Sequence, residues 1–252
     1  MSNCDPFFID GPALISFSGG RTSGYMLHRI LDAHGGILPP DVHVLFADTG
    51  KERAETYAFV KECARRWSIN ITWVTRPGQF TQLITDKKAL PSPLMRWCTA
   101  DLKVAPMHKW MRVRGYESWT NVMGLRADEA RRVAKMRGIQ GLDVSMPLAD
   151  AGIVERDIAA YWQASDFDLG LRKHEGNCDL CMLKGAGILK RLIRDNPESA
   201  DWWIEQERRT GWTFRKHAGT YESLKAAALA QGSLFEVLAD EDDSQIDCFC
   251  TD

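Results

Sequence analysis

Two groups of residues in this chain are of the types, and at the spacings, that do chemistry. The first is Ser18-Gly19-Gly20-Arg21-Thr22-Ser23. Glycines let backbone N–H groups come close to phosphate oxygens, and the hydroxyls of Ser18, Thr22 and Ser23 can donate to the same oxygens. The spacing is neither that of a Walker A loop nor G-x-G-x-x-G. The second group is Cys178-Asp179-Leu180-Cys181. Two thiolates so spaced can chelate one metal ion or take two corners of an iron–sulfur cluster, whereas a structural zinc site would need two more ligands. A thioredoxin-like redox pair would come with its own fold, of which the chain gives no other sign. His174, four residues upstream, reads as a surface or core histidine. Cys248 and Cys250 make another pair near the C-terminus, with three readings: completing a cluster, serving as a redox or sulfur-relay pair, or inert. Cys63 reads as a small core residue, and Trp202-Trp203 as packing rather than base stacking.

These groups need elements to hold them. Residues 13–17 form an apolar run rich in β-formers. Tyr25, Met26, Leu27, Ile30 and Leu31 then recur at helical spacing as far as His34-Gly35-Gly36. The glycine loop thus lies between a strand and a helix, whose N-terminal dipole adds positive potential. Further strands are expected over 42–47, 69–74 and 118–123, with helices over 55–67 and 103–114. Strands alternating with helices imply βαβ units and a mostly parallel, Rossmann-like α/β sheet with flanking helices. Ligands of such sheets bind outside the strand C-termini. Three strand exits, at Ser18, at Asp48-Thr49-Gly50 and at Gly124, carry polar or glycine-rich segments, which places one site there. Beyond about residue 145 the pattern turns helical, over 157–164, 187–194, 197–209 and 221–230. The expected organisation is a nucleotide-binding α/β domain over 1–150, a mainly helical extension carrying the C-x-x-C over 151–238, and an acidic cysteine-bearing tail over 239–252.

The composition, 252 residues with 44% hydrophobic and 26% charged, is that of a soluble globular protein. No apolar run approaches the roughly 18 residues of a membrane span. Residues 1–10 lack the basic and apolar regions of a secretory leader. Seven cysteines, an odd number, point to thiols kept reduced in a cytoplasmic setting rather than to a disulfide framework. The net charge of −2 argues against a strongly cationic nucleic-acid binder. It hides an asymmetry, since residues 239–252 carry six acids and no Lys or Arg, leaving 32 basic against 28 acidic residues in the body. A modest basic patch in that body would suit an anionic small molecule or a nucleic acid.

Residues 14–27, LISFSGGRTSGYML, resemble the PP-loop of the adenine nucleotide α-hydrolase-like (HUP-type) superfamily, S-G-G-x-(D/T)-S after the first strand. The stretch from Phe46 through Asp48, Thr49 and Gly50 to Glu52 resembles its T-G-x-E segment after the second strand. Three further stretches are similar to the phosphoadenosine phosphosulfate (PAPS) reductase branch. Cys98 to Pro106 resembles C-T-x-x-L-K-x-x-P. Gly124 to Arg132 resembles G-x-R-x-x-E-x-x-R. Pro147-Leu148 followed by Asp157-Ile158 resembles its P-L and D-(V/I) pair. Together these cover residues 13–185.

The resemblance implies an enzyme of the ATP pyrophosphatase type, which cleaves ATP between the α and β phosphates, attaches AMP to a substrate oxygen and releases pyrophosphate. It implies that Ser18, Gly19, Gly20, Arg21, Thr22 and Ser23 hold the pyrophosphate with Mg²⁺ bridging, and that Asp48, Thr49, Gly50 and Gly124 border the nucleotide. Lys103, Arg126 and Arg131, with Ser18, would act on phosphate or sulfate groups. Cys98 matches a family position close to the nucleotide. With Cys178 and Cys181 it gives three thiolates for a 4Fe–4S cluster, with one iron open or a fourth ligand from Cys248 or Cys250; zinc is the alternative metal. The expected function is ATP-dependent sulfur transfer or sulfur handling. Two alternatives are a sulfonucleotide reductase releasing sulfite, and a non-catalytic nucleotide- or cluster-sensing protein of a DNA-modification or phage-defence system. Expected partners are a nucleotide, a small-molecule or nucleic-acid sulfur acceptor, a sulfur- or electron-donor protein, and a second copy in a homodimer, with no membrane.

Overall fold

Parallel strands covered on both faces read as near-continuous apolar runs, and residues 13–17 and 42–47 are of that kind. In the computed structural model, which describes residues 5–172, 175–216 and 219–230, these runs form β1 (Ala13–Ser16) and β2 (Val42–Asp48). With β3 (Ile71–Thr75), β4 (Thr120–Val122) and β5 (Val144–Ser145) they make one five-stranded, wholly parallel sheet in the order β3-β2-β1-β4-β5. The chain builds outward from β1 through β2 to β3, then crosses back to β4 and β5. The order therefore reverses beside β1, where a ligand of such a sheet binds.

The pleat of each strand decides which helices meet which face. Ala13, Ile15, Val44 and Phe46 enter a core with Met26 and Leu27 of α1 (Arg21–Ala33), Phe59 and Val60 of α2 (Ala54–Arg66), and Ile158 and Trp162. Leu14, Leu45 and Val74 enter a second core on the other face. A helical stretch over 97–113 closes that face through Met107 and Met111. This stretch begins as α4 (Trp97–Thr99), widens to a π-helical segment (Ala100–Val104) and continues as α5 (Ala105–Val113), all after α3 (Gln79–Lys87). It starts six residues before the helix expected at 103–114. Sequence periodicity did not reveal α3. Its apolar set, Phe80, Leu83 and Ile84, spans only five residues of a nine-residue helix behind a Pro-Gly turn. Also unexpected was α6 (Ala130–Arg137), whose face buries only Val133 and Met136.

After α7 (Pro147–Asp150), α8 (Glu155–Ala164) returns to the sheet core. Trp162 packs against Gly24, where an added Cβ would come within 2.8 Å of the indole, and its Nε1–H donates to the Arg21 carbonyl at 2.9 Å. A third core lies beyond the sheet. It joins α3 to α9 (Ala186–Asp195), α10 (Asp201–Thr210) and α11 (Tyr221–Ala230). Its centre is Trp203, stacked on Tyr221 at 5.0 Å. The buried Glu207 carboxylate accepts the Phe214 and Tyr221 N–H groups at 3.1 and 2.8 Å, which fixes the loop between α10 and α11. None of the described helices is long and apolar enough to cross a membrane.

Trp162→Ala removes a buried indole that ties α8 to the first turn of α1. The expected cost is about 3–5 kcal/mol, read from urea unfolding. A loss below about 1 kcal/mol would show that α8 does not brace the sheet core.

Candidate nucleotide and thiol site

The loop between β1 and α1 turns through Gly19 at φ +79, a left-handed conformation. A Cβ there would stand 2.8 Å from Thr56 and 3.0 Å from the Phe46 and Val60 side chains. Glycine is required on both counts. The Ser18 and Ser23 hydroxyls lie 2.9 Å apart, and the Gly20 N–H donates toward both at 3.3 Å. The first turn of α1 carries no acidic residue. Its amides and dipole therefore present a positive end to an anion. Gly124, just past β4, backs onto this turn, where a Cβ would meet Ser23 Cα at 3.5 Å.

Between the loop and β4 lies a cleft of about 160 Å³. Phe17, Met107, Met123 and Leu125 give it an apolar wall, while Ser18, Thr22, Ser23, Lys103, Arg126 and Arg132 give it a polar one. An apolar slot with hydroxyls and cations at one end has the chemistry to take a planar apolar group in the slot and an anion at the polar end. Arg126 is aimed by its neighbours. Its Nη1–H donates to Thr22 Oγ1 at 3.4 Å, its Nε–H to Asp128 at 2.9 Å, and its backbone N–H to Glu129 at 2.9 Å.

Not every residue singled out in the sequence faces this cleft. Arg131 is exposed, and it is the adjacent Arg132 that lines the cleft and pairs with Glu129. The Arg21 guanidinium turns to Asp168 and to the Leu171 carbonyl, each at 2.7 Å. Asp48 shapes its own turn, accepting the Gly50 N–H at 2.8 Å, the Tyr57 hydroxyl at 2.7 Å and Gln79 Nε2–H at 3.1 Å. Burial, and then the bond to Asp48, holds the Tyr57 phenol far above its usual range, so it acts there as a donor.

Thr49 engages Glu52. Its N–H and hydroxyl both donate to Glu52 Oε2, at 3.0 and 2.7 Å. The Glu52 side chain is 1% exposed, and its other oxygen, which has no hydrogen-bond partner, stands 3.4 Å from Lys103 Nζ. Residues 51–53 run antiparallel to 177–179. The Arg53 N–H donates to the Asn177 carbonyl at 2.8 Å, and the Asp179 N–H to the Lys51 carbonyl at 3.0 Å, so Glu52 pairs with Cys178. Asn177 Nδ2–H donates to the Ser18 carbonyl at 3.1 Å. The C-x-x-C segment is thereby fastened to the turn after β1 and to the turn after β2.

Cys98, Cys178 and Cys181 line one small cavity. Thr99 and Lys103 line it too, and they also line the cleft between the glycine loop and β4, so the two compartments share a wall. Burial pushes the Cys178 thiol well up, Cys181 and Glu52 push the same way, and Lys103 opposes them. A thiol held neutral in this way loses its proton on binding a metal. Three sulfurs around one cavity are the donor chemistry of iron–sulfur and zinc sites. Among the described residues no group of three His, Cys, Asp or Glu side chains is arranged to hold a metal ion, so loading would have to draw the sulfurs together. Cys248, Cys250 and His174 lie outside the described residues. Glu52 and Asn177 were not picked out from the sequence as site residues. The T-G-x-E stretch marked Glu52 as a family position without giving it a role; nothing local marks Asn177.

Gly19→Ala should cost about 1–3 kcal/mol through strain and overpacking, and should weaken nucleotide binding measured by calorimetry. Unchanged affinity would remove the loop from the binding site. Glu52→Gln keeps the shape and deletes the charge beside Lys103. It should lower stability in urea by about 1–3 kcal/mol, and a native midpoint would mean the buried pair is without weight.

Several known proteins are similar to this chain. An uncharacterized nin region protein of Escherichia phage lambda is 32% identical over 208 residues, 72% of this chain and 69% of that protein. Two solved structures are similar at lower identity. One is a PAPS reductase from Candida auris in a phosphate complex, 15% identical, covering 61% of this chain and 72% of that one at a TM-score of 0.42. The other is the U34-tRNA thiolase NcsA from Methanococcus maripaludis with its 4Fe–4S cluster, 14% identical, covering 86% of this chain and 71% of that one at a TM-score of 0.44. The family model for the phosphoadenosine phosphosulfate reductase domain matches residues 12–169, and the chain belongs to that family.

Proposed function

We propose that this protein is an ATP-dependent sulfur-handling enzyme that adenylates its substrate and releases pyrophosphate, working in a reducing, cytoplasmic setting. The observation that supports this reading most is the shared wall. Lys103 and Thr99 belong at once to the nucleotide cleft and to the cavity of the three cysteines. In this reading the amides and hydroxyls of Ser18 to Ser23 receive the β and γ phosphates, with Mg²⁺ supplying further charge. A substrate oxygen attacks the α phosphorus, and the α–β bridging oxygen leaves with its electron pair as part of pyrophosphate. Arg126 and Lys103 stabilise charge that develops on the phosphates, because they stand in place before the reaction begins. Arg132, on the same cleft wall, joins them in place of Arg131. Cys98, Cys178 and Cys181 would hold an iron–sulfur cluster, which supplies an iron able to bind sulfur beside the activated substrate. Cys248 or Cys250 is a fourth ligand in this scheme if all four irons are closed. The acceptor is a small molecule or a nucleic-acid base.

Protein purified without oxygen and given Mg-ATP should release pyrophosphate, should contain iron and sulfide, and should lose both in Cys98→Ala and Cys178→Ala. Zinc without iron would exclude the cluster. Sulfite release from PAPS with reduced thioredoxin, and no pyrophosphate from ATP, would overturn adenylation in favour of sulfonucleotide reduction. Nucleotide binding without either product would favour a sensing role.

A further inference from the structure

Charge is segregated along this chain. Residues 76–114 contain eight Lys or Arg and two acids, although the chain as a whole carries −2. This stretch forms the exit of β3, then α3, then the long helix over 97–113. Its outer surface is an open groove of about 1030 Å³ on the flank of the edge strand β3. Arg76, Lys87, Lys109 and Arg114 line it, together with the indoles of Trp73 and Trp110. Arg76 pairs with Asp86 and Lys87 with Asp101, each at 2.8 Å. Lys109 and Arg114 make no ion pair among the described residues. Trp73 is 38% exposed, and the Arg114 guanidinium lies 3.4 Å from the centroid of the Trp110 ring. One helix carries both sites back to back. Asp101 and Ala105 face the groove, while Lys103 and Val104 face the nucleotide cleft.

We propose that this groove binds single-stranded nucleic acid. Phosphates meet the four cations, and counterion release drives that contact. Bases stack on the Trp73 indole and on the Arg114 guanidinium, planar surfaces that accept any base. A duplex matches the surface less well, because its bases are already stacked on one another. An acidic peptide would satisfy the cations but would leave the planar surfaces unused. The groove is separate from the nucleotide cleft, and binding there does not depend on ATP turnover, so it stands or falls apart from the adenylation reading.

The test is fluorescence anisotropy of the full chain, without ATP, using a fluorescein-labelled mixed-sequence DNA strand of about 15 nucleotides, near the upper site size of a single-strand binding module. Affinity should fall as salt rises, with a log–log slope of about −0.7 per phosphate contacted. The double change Lys109→Glu with Arg114→Glu should weaken binding at least about tenfold and flatten the slope by about 1.4, two contacts' worth. Trp73→Leu should weaken binding about tenfold while leaving the slope unchanged. Arg156→Glu, on an 88%-exposed side chain of α8, should leave affinity unaltered. Any of three results would overturn the proposal: native affinity in the double variant, a duplex of the same length bound as tightly as the strand, or polyglutamate competing as well as unlabelled strand.

Discussion

Two backbone hydrogen bonds, Arg53 N–H to the Asn177 carbonyl and Asp179 N–H to the Lys51 carbonyl, hold together parts of the chain some 125 residues apart. They act like a two-rung piece of antiparallel ladder at the rim of a parallel sheet. The rest of the site depends on them. They set Cys178 opposite Glu52, they bring Asn177 within reach of the Ser18 carbonyl, and they turn the C-x-x-C toward Cys98. The third core then supports this short ladder from behind. Trp203 Nε1–H donates to Asp179 at 3.1 Å, and the Tyr221 hydroxyl donates to the Leu180 carbonyl at 2.6 Å. The helices after residue 185 are thus more than a covering, since their aromatic centre fixes the direction of the thiol segment.

This geometry couples the two compartments. Asn177 joins them: its amide donates to the Ser18 carbonyl, and Cys178 follows it in the chain. Lys103 has a comparable position on the other side, between a buried carboxylate and three thiols. Charges in the thiol cavity and in the cleft therefore act on the same ammonium group.

Most of the sheet and the glycine turn after β1 were legible in the sequence because both are local. The run ALISF before Ser18-Gly19-Gly20 states strand and turn within a few residues, and the helical repeat from Tyr25 to Leu31 states the helix after the turn. Residues whose roles come from tertiary partners were not legible. Arg131 and Arg132 are adjacent and of one type; the G-x-R-x-x-E-x-x-R spacing counted from Gly124 ends on Arg132, but the role was assigned to Arg131, and the phase of α6 puts Arg132 in the cleft. Arg21 sits inside the glycine motif, yet Asp168, 147 residues later, takes its guanidinium. The near-neutral net charge was similarly uninformative. It averages a basic stretch beside the cleft with acids elsewhere, and a field acts over a Debye length of about 8–10 Å rather than over a whole chain.

The π-helical segment over residues 100–104 sets the phase between Cys98 and α5. A π turn accommodates one residue more than an α turn, and such insertions persist where a side chain must be re-aimed. Winding the same residues as regular α-helix would turn everything before them by one residue's step, roughly 100°, against α5. Cys98 and Thr99 would leave the wall they share with Lys103, while Met107 and Met111 stayed seated in the sheet core. The winding of this segment therefore acts as a registration mark for the site, independent of any contact its side chains make.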